Sequence, residues 1–241
     1  MADRIPQRKR TDVCYLCGEK LEKPWSMDHV PPKCFFASPV MEKLKPDRLW
    51  TVPTHVTCNN DYKDDEEYFV DSVRLRVGHT WAGAALQIDF MDRLSKRDES
   101  KRLFGRTYRE TRWQHFSTPS ARGSFLVDIE HDDARITRLC WKIVRGLFFR
   151  ERDIVLPADA TLTFASLGAI EQASEGLAAW WTQASGKGRY PYPRVFEYRF
   201  KGADASGSGE EQWMLRMWEG LIWWTAFRPP LVDHQDPVLT F

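Results

Sequence analysis

The sequence predicts an α+β protein laid out in three segments, and a change of pattern near residue 60 is the first reason. Residues 11 to 60 are short apolar pieces broken by Gly and Pro, with Cys or His near both ends; beyond residue 60 apolar residues recur at helical spacing and, later, alternate as in strands. The second reason is composition: 241 residues with 42% hydrophobic and 29% charged side chains describe a folded chain rather than a disordered or fibrous one. The expected division is a loop-rich module over 1–75, a helical connector over 76–118 and an α+β domain over 119–241.

The elements follow in order. Between Asp61 and Phe116, Tyr68, Phe69, Val73, Val77, Trp81, Leu86, Phe90 and Leu94 stand at near-helical spacing with no Pro until Pro119, which predicts one long helix or two in series. Gly123 to Glu130 alternates as a strand, and Asp132 to Arg152 is helical through Ile136, Leu139, Cys140, Ile143, Val144 and Leu147. Ala160 to Ala165 reads as a strand and Leu167 to Gln183 as a third helix. Arg194 to Lys201 and Gln212 to Phe227 flank a Gly202 to Gly209 loop, as two strands or as a strand and a helix. Of 11 tryptophans, Trp180, Trp181, Trp213, Trp218, Trp223 and Trp224 fall in the last third among apolar neighbours, so they are expected to pack a core rather than stack on bases.

The most apolar run, Gly220 to Phe227, is far shorter than the roughly 20 residues of a membrane span and is flanked by Glu219 and Arg228. No apolar stretch follows the basic residues near the N-terminus, as a secretory signal would require, so a cytoplasmic location without a membrane partner is expected. A net charge of +1 does not by itself point to nucleic acid. Charge is uneven, however. Arg93 to Arg112 carries eight basic residues against three acids, and Asp61 to Asp71 six acids against Lys63. These are opposed functional faces or solvated, mutually paired helix surfaces.

Five cysteines are an odd number, and their spacing suggests metal rather than disulfides. Cys14-Tyr15-Leu16-Cys17-Gly18 is a CxxC turn, and after 37 intervening residues His55-Val56-Thr57-Cys58 repeats the internal spacing. Two such pairs make one tetrahedral zinc site, which a module with little apolar material needs in order to fold. Cys34 is the alternative fourth ligand, but only His55 stands in register with Cys58.

Between the pairs lies Met27-Asp28-His29-Val30-Pro31-Pro32-Lys33, and Asn59 follows the last ligand. This order resembles the HNH, or ββα-metal, endonuclease family, and within it the members with four zinc ligands such as phage junction-resolving endonucleases. It is also similar to bacterial HNH proteins in which a DHxPPK segment precedes a TVP segment, a Cys-Asn-Asn and an acidic stretch with Glu-Tyr-Phe; here these are Asp28 to Lys33, Thr51 to Pro53, Cys58 to Asn60 and Asp64 to Phe69. The likeness spans roughly residues 14 to 69. A weaker likeness lies around Lys142 to Phe148.

The resemblance implies a ββα-metal module in which His29 is the general base, Asp28 and Asn59 hold a catalytic Mg²⁺ or Mn²⁺, and Cys14, Cys17, His55 and Cys58 hold structural zinc. The chemistry suits these roles, because imidazole titrates near neutrality and carboxylate and amide oxygens are donors for hard divalent ions. Lys33 is a candidate phosphate contact, with a solvated surface lysine as the alternative. Asp61, Asp64 or Asp65 could add a metal ligand, or could simply favour a helix N-terminus. The chain departs from the family pattern in having His55 rather than Cys, Cys34-Phe35-Phe36 where Gly-Gly often stands, and Leu49-Trp50-Thr51 where an Asn usually braces the loop of the base. Asp47 is the nearest polar substitute. The implied activity is metal-dependent DNA cleavage, with RNA as another substrate and the C-terminal part serving target choice, homodimerisation or a protein partner. The alternative is a zinc-stabilised binding module without activity.

Overall fold

In a computed structural model the described residues are 12–44, 49–96, 105, 111–114, 126–129, 132–156, 160, 162–169, 175–184, 189–203 and 210–228. They form an α+β structure. Strand β1 (Trp25–His29) pairs antiparallel with β2 (Thr51–His55), with Trp25 opposite His55 and His29 opposite Thr51. Between them lie a 3₁₀ turn (Lys33–Phe35) and helix α1 (Ser38–Leu44). Helix α2 (Val56–Asn60) starts directly after β2 and leads into α3 (Lys63–Val77), then α4 (Trp81–Lys96). The helical stretch expected after Asp61 therefore begins as two helices in series. Thr80 Oγ1 accepts from the Gly83 N–H at 3.0 Å, capping the start of α4. A β-carbon at Gly83 would fall 1.9 Å from the Val77 carbonyl oxygen, so the absence of a side chain there lets the turn close.

Strands β3 (Thr111–Gln114) and β4 (Leu126–Ile129) pair with each other. Residues 111–114 are thus extended where a helix was expected; β-branched Thr111 and aromatic Trp113 suit a strand once a partner is present. Helix α5 (Asp133–Arg152) is capped by Asp132, which accepts from the Arg135 N–H at 3.2 Å, and ends at Asp153 in the left-handed region (φ 60°). The remaining elements are β5 (Leu162–Ala169), α6 (Glu175–Gln183), β6 (Arg189–Tyr192), β7 (Phe196–Lys201), β8 (Glu211–Met217) and β9 (Leu221–Phe227). The five strands form one antiparallel sheet in the order β5-β9-β8-β7-β6. The third helix starts later than expected, because residues 167–169 pair with β9 and extend β5 instead.

Trp213, Trp218 and Trp223 are fully buried, so the tryptophans of this sheet pack a core as expected. One hydrophobic cluster joins Cys14, Tyr15, Phe35 and Phe69 to Leu139, Ile143, Leu147, Phe196 and Trp218, drawing on both ends of the chain. The sharpest contact is at the β8–β9 turn. Trp218 donates its indole N–H to the Phe35 carbonyl at 3.0 Å, and its ring lies 4.6 Å from that of Phe35 and 6.0 Å from that of Phe69. Among the described residues no helix is long and apolar enough to cross a membrane.

A four-ligand metal cluster and a buried lysine cage

The CxxC turn folds because Gly18 takes a positive φ of 80°, its N–H reaching the Cys14 carbonyl at 2.8 Å while Cys14 N–H reaches the Glu19 carbonyl at 2.9 Å. Residue 55 closes β2 and precedes α2, and Cys58 follows three positions on, which puts both side chains on one side. The ligand atoms of Cys14, Cys17, His55 and Cys58 lie within 4.8 Å of one another, close enough to hold one metal ion. His55 Nε2 lies 3.2 Å from the Lys20 carbonyl, which orients Nδ1 toward the cysteines, 3.4 Å from Cys17 Sγ and 3.9 Å from Cys58 Sγ. A backbone carbonyl that fixes the ring through its second nitrogen is the usual support of a ligating histidine.

The sulfur electrostatics also favour a cation. Burial opposes ionisation of Cys14, yet the Thr54 hydroxyl and the backbone N–H groups of His55, Cys17 and Leu16 outweigh it and bring the thiol down to about 6. Burial, followed by the neighbouring Cys14 and Cys17 sulfurs, pushes the Cys58 thiol up to about 12. Cys14 is thus the thiolate and Cys58 a thiol, and a cation shared by the sulfurs would relieve the repulsion that opposes ionisation of Cys58. Cys34, the alternative ligand, lies elsewhere, with its Sγ 3.7 Å from the Glu66 carbonyl and its thiol raised by burial.

The second cluster starts at the other end of the β1–β2 pair. Asp28 is buried and accepts from the Tyr15 hydroxyl at 2.6 Å. Lys142, from α5, is 1% exposed and places its ammonium 2.9 Å from Asp28 Oδ2, 3.2 Å from Asn59 Oδ1 and 2.5 Å from Glu66 Oε1. Burial works against the charge of Lys142, but Asp28 and Glu66 outweigh it and raise its pKa, so the group stays an ammonium. Burial raises Glu66 despite the opposing pull of Lys142, and burial next to Asp28 raises Tyr15, which therefore stays a donor. His29, adjacent in sequence and half-buried, has its pKa lowered mainly by burial; Asp28 opposes this, while Lys33 and Lys142 add to it. The imidazole is thus neutral, and able to take a proton, at pH 7.

Asp28 and Asn59 thus meet at one point. That point is occupied by an ammonium, and the third oxygen around it is Glu66, which was not singled out in the sequence. Asp65 does not serve there, because its carboxylate is held by Arg135 at 2.7 Å and by Arg138. Asp61 and Asp64 are exposed, and their backbone carbonyls accept from Arg138 and Arg135. Asp71 pairs with Arg93 at 3.2 Å, so Asp65 and Asp71 of the acidic run are structural partners of arginines. Most of the Arg93 to Arg112 run, and Asp47, lie outside the described residues. Lys33 is exposed, as a phosphate contact or a solvated lysine would be.

Helix α5 fixes both clusters. Besides Lys142, it supplies Arg145, whose buried guanidinium donates to the Leu16 carbonyl inside the CxxC turn and to the Leu156 carbonyl at 3.1 Å. One residue on, a β-carbon at Gly146 would lie 2.6 Å from Val30 Cγ2 and 3.3 Å from Tyr15 Cε2. The helix could not approach the segment after His29 so closely with any other residue. The fold and these side chains define an α+β protein with four residues close enough to hold one metal ion and, toward the other end of the β1–β2 pair, a buried lysine caged by Asp28, Asn59 and Glu66. No family model, curated protein or solved structure matches the chain.

Proposed function

We propose that this protein is an HNH-type, divalent-metal-dependent endonuclease that hydrolyses phosphodiester bonds of DNA, with structural zinc on Cys14, Cys17, His55 and Cys58. Three sulfurs and one imidazole are a zinc donor set, and because the protein fills all four positions the ion is structural rather than catalytic. The observation that carries the reading is the convergence of Asp28 and Asn59 on one cation position, with a neutral His29 next to Asp28, in a strand–strand–helix stretch that also bears the metal cluster.

In this reading His29 takes a proton from a water molecule as the water oxygen bonds to phosphorus. The bond from phosphorus to the 3′ oxygen breaks, the departing oxygen takes a proton from solvent, and a 5′-phosphate and a 3′-hydroxyl remain. Mg²⁺ or Mn²⁺ on the oxygens of Asp28 and Asn59 supplies, when bound, stabilisation of the leaving oxygen's charge. Tyr15 orients Asp28, and Lys33 contacts phosphate from the exposed turn after His29. No base contact is needed for this chemistry, so RNA is a second substrate to assay.

The test is cleavage of supercoiled plasmid by the full chain with Mg²⁺, Mn²⁺ or EDTA, beside His29→Ala. Metal-dependent nicking that the variant loses, with zinc content unchanged, is the expected outcome. The ammonium at the cation position favours a second reading, a zinc-stabilised nucleic-acid-binding module without activity. Absence of cutting in either metal, with DNA retained in a gel-shift assay, would select it.

A further inference from the structure

The oxygens of Asp28, Asn59 and Glu66 come from β1, α2 and α3, and they converge within 3.2 Å of one atom, Lys142 Nζ. Two carboxylates and an amide are the donor set that a hard divalent ion takes. The donors therefore fit such an ion, while the space between them is held by a cation that belongs to the chain. The position of that cation is anchored at its root. Arg145 and Gly146, immediately along α5, are locked to the Leu16 carbonyl and against Val30. Only rotation of the four-carbon lysine stem can vacate the cage, since α5 itself cannot retreat without breaking those contacts.

We propose that Lys142 is a built-in cation that competes with the divalent metal for the Asp28–Asn59–Glu66 cage, and that Glu66 is the third oxygen of that cage. In the metal-free protein the ammonium keeps the buried carboxylate of Asp28 and the partly exposed one of Glu66 from repelling each other across a small space, so the site stays assembled without metal. A divalent ion enters only by displacing it. The metal concentration at which the site fills is thereby set by a residue of α5 rather than by the ligands alone. The idea rests on the endonuclease reading for its consequence, not for its observation.

The experiment is titration of the zinc-loaded full chain with Mn²⁺, read by electron paramagnetic resonance of free Mn²⁺, for the unaltered protein, Lys142→Met, and Lys142→Met combined with Asp28→Asn. Lys142→Met should bind one Mn²⁺ at least roughly tenfold more tightly than the unaltered protein, because a unit positive charge has left the cage; the double variant should lose that binding. Thermal melts of the same samples check folding, and Lys142→Met should melt lower without Mn²⁺ and recover when it is added. If Lys142→Met is insoluble, Lys142→Gln serves in its place. Equal affinity in the unaltered and Lys142 variants would refute the competition, and no binding in any protein would refute the cage. Cleavage is not the readout, so loss of the nuclease reading would leave a positive result here intact.

Discussion

Replacing Gly146 by Ala inverts an ordinary expectation, which makes it a sensitive probe of how α5 meets the site. In the interior of a helix with room for a methyl group, Gly→Ala stabilises by roughly 1 kcal/mol. Here the new carbon would lie 2.6 Å from Val30 Cγ2, 3.2 Å from Val30 Cγ1 and 3.3 Å from Tyr15 Cε2. Overpacking of this kind costs about 1–3 kcal/mol. The opposing terms leave a net destabilisation of about 0–2 kcal/mol instead of a gain. Trimming Val30 to Ala removes the two closest atoms, so the double variant Gly146→Ala/Val30→Ala should be more stable than the sum of the single changes by about 1 kcal/mol or more. Urea unfolding of the four proteins measures that coupling. A Gly146→Ala protein about 1 kcal/mol more stable than the parent, with no coupling to Val30, would mean that α5 does not press on the segment after His29.

Two further predictions concern the sites themselves. Burial makes His29 a weaker base, so its neutral form persists to lower pH than that of an ordinary imidazole. The acid limb of cleavage should therefore have its midpoint below the roughly pH 6.5 of an ordinary imidazole, and a metal ion beside Asp28 would push the limb in the same direction. Lys33→Ala removes one of the charges that lower the His29 pKa and should move the limb upward in a kcat/KM profile; a downward move would contradict the assigned field. The metal cluster predicts that Cys58→Ser, or prolonged chelation of the unaltered protein, releases one zinc per chain and lowers the melting temperature sharply. Zinc in small structural sites contributes about 10–16 kcal/mol of apparent binding energy. An unchanged melting temperature after quantitative zinc loss would remove the structural role.

The four residues of the cluster that could hold a metal ion were legible in the sequence because knuckle positions lie in fixed register, Cys14 with Cys17 and His55 with Cys58, and local spacing is what a sequence displays. Asp28 and Asn59 were legible through their place relative to those pairs. Lys142 and Glu66 were not. In helical periodicity Lys142 is one polar position among the apolar residues of α5, and Glu66 one acid in a run of several. What distinguishes them is a tertiary contact 76 positions apart in the chain. The signs available were the faint likeness over Lys142 to Phe148 and a lysine among the apolar residues of a helix, since lysine is rarely fully buried without a partner. The β8–β9 turn was missed for another reason. Trp218 and Glu219 adopt φ of 49° and 59° without Gly or Asn to announce it. The left-handed region disfavours such residues by roughly 1–2 kcal/mol each, and the burial of Trp218 against Phe35 and Phe69 offsets that cost.

The same contacts decide whether residues 1–96 can act alone. In the full chain α5 neutralises the carboxylates of Asp28 and Glu66, donates to the Leu16 carbonyl inside the CxxC turn and packs on Val30, while Trp218 covers Phe35 and Phe69. A fragment ending at Lys96 keeps all four residues of the metal cluster but leaves the buried Asp28 carboxylate and the half-buried one of Glu66 without their cation and exposes a cluster of aromatic rings. Removing one partner of a buried ion pair alone costs about 3–5 kcal/mol, a large share of the roughly 5–15 kcal/mol that holds a domain folded. The fragment should therefore bind zinc yet lack cooperative unfolding and cleavage, and adding residues 153–241, which lack α5, in trans should restore neither. A fragment that melts cooperatively and cuts DNA would show that the first 96 residues are self-sufficient and that α5 only decorates them. Zinc alone, on this view, folds the knuckle; the site is completed by a helix whose first residue lies more than a hundred positions beyond His29.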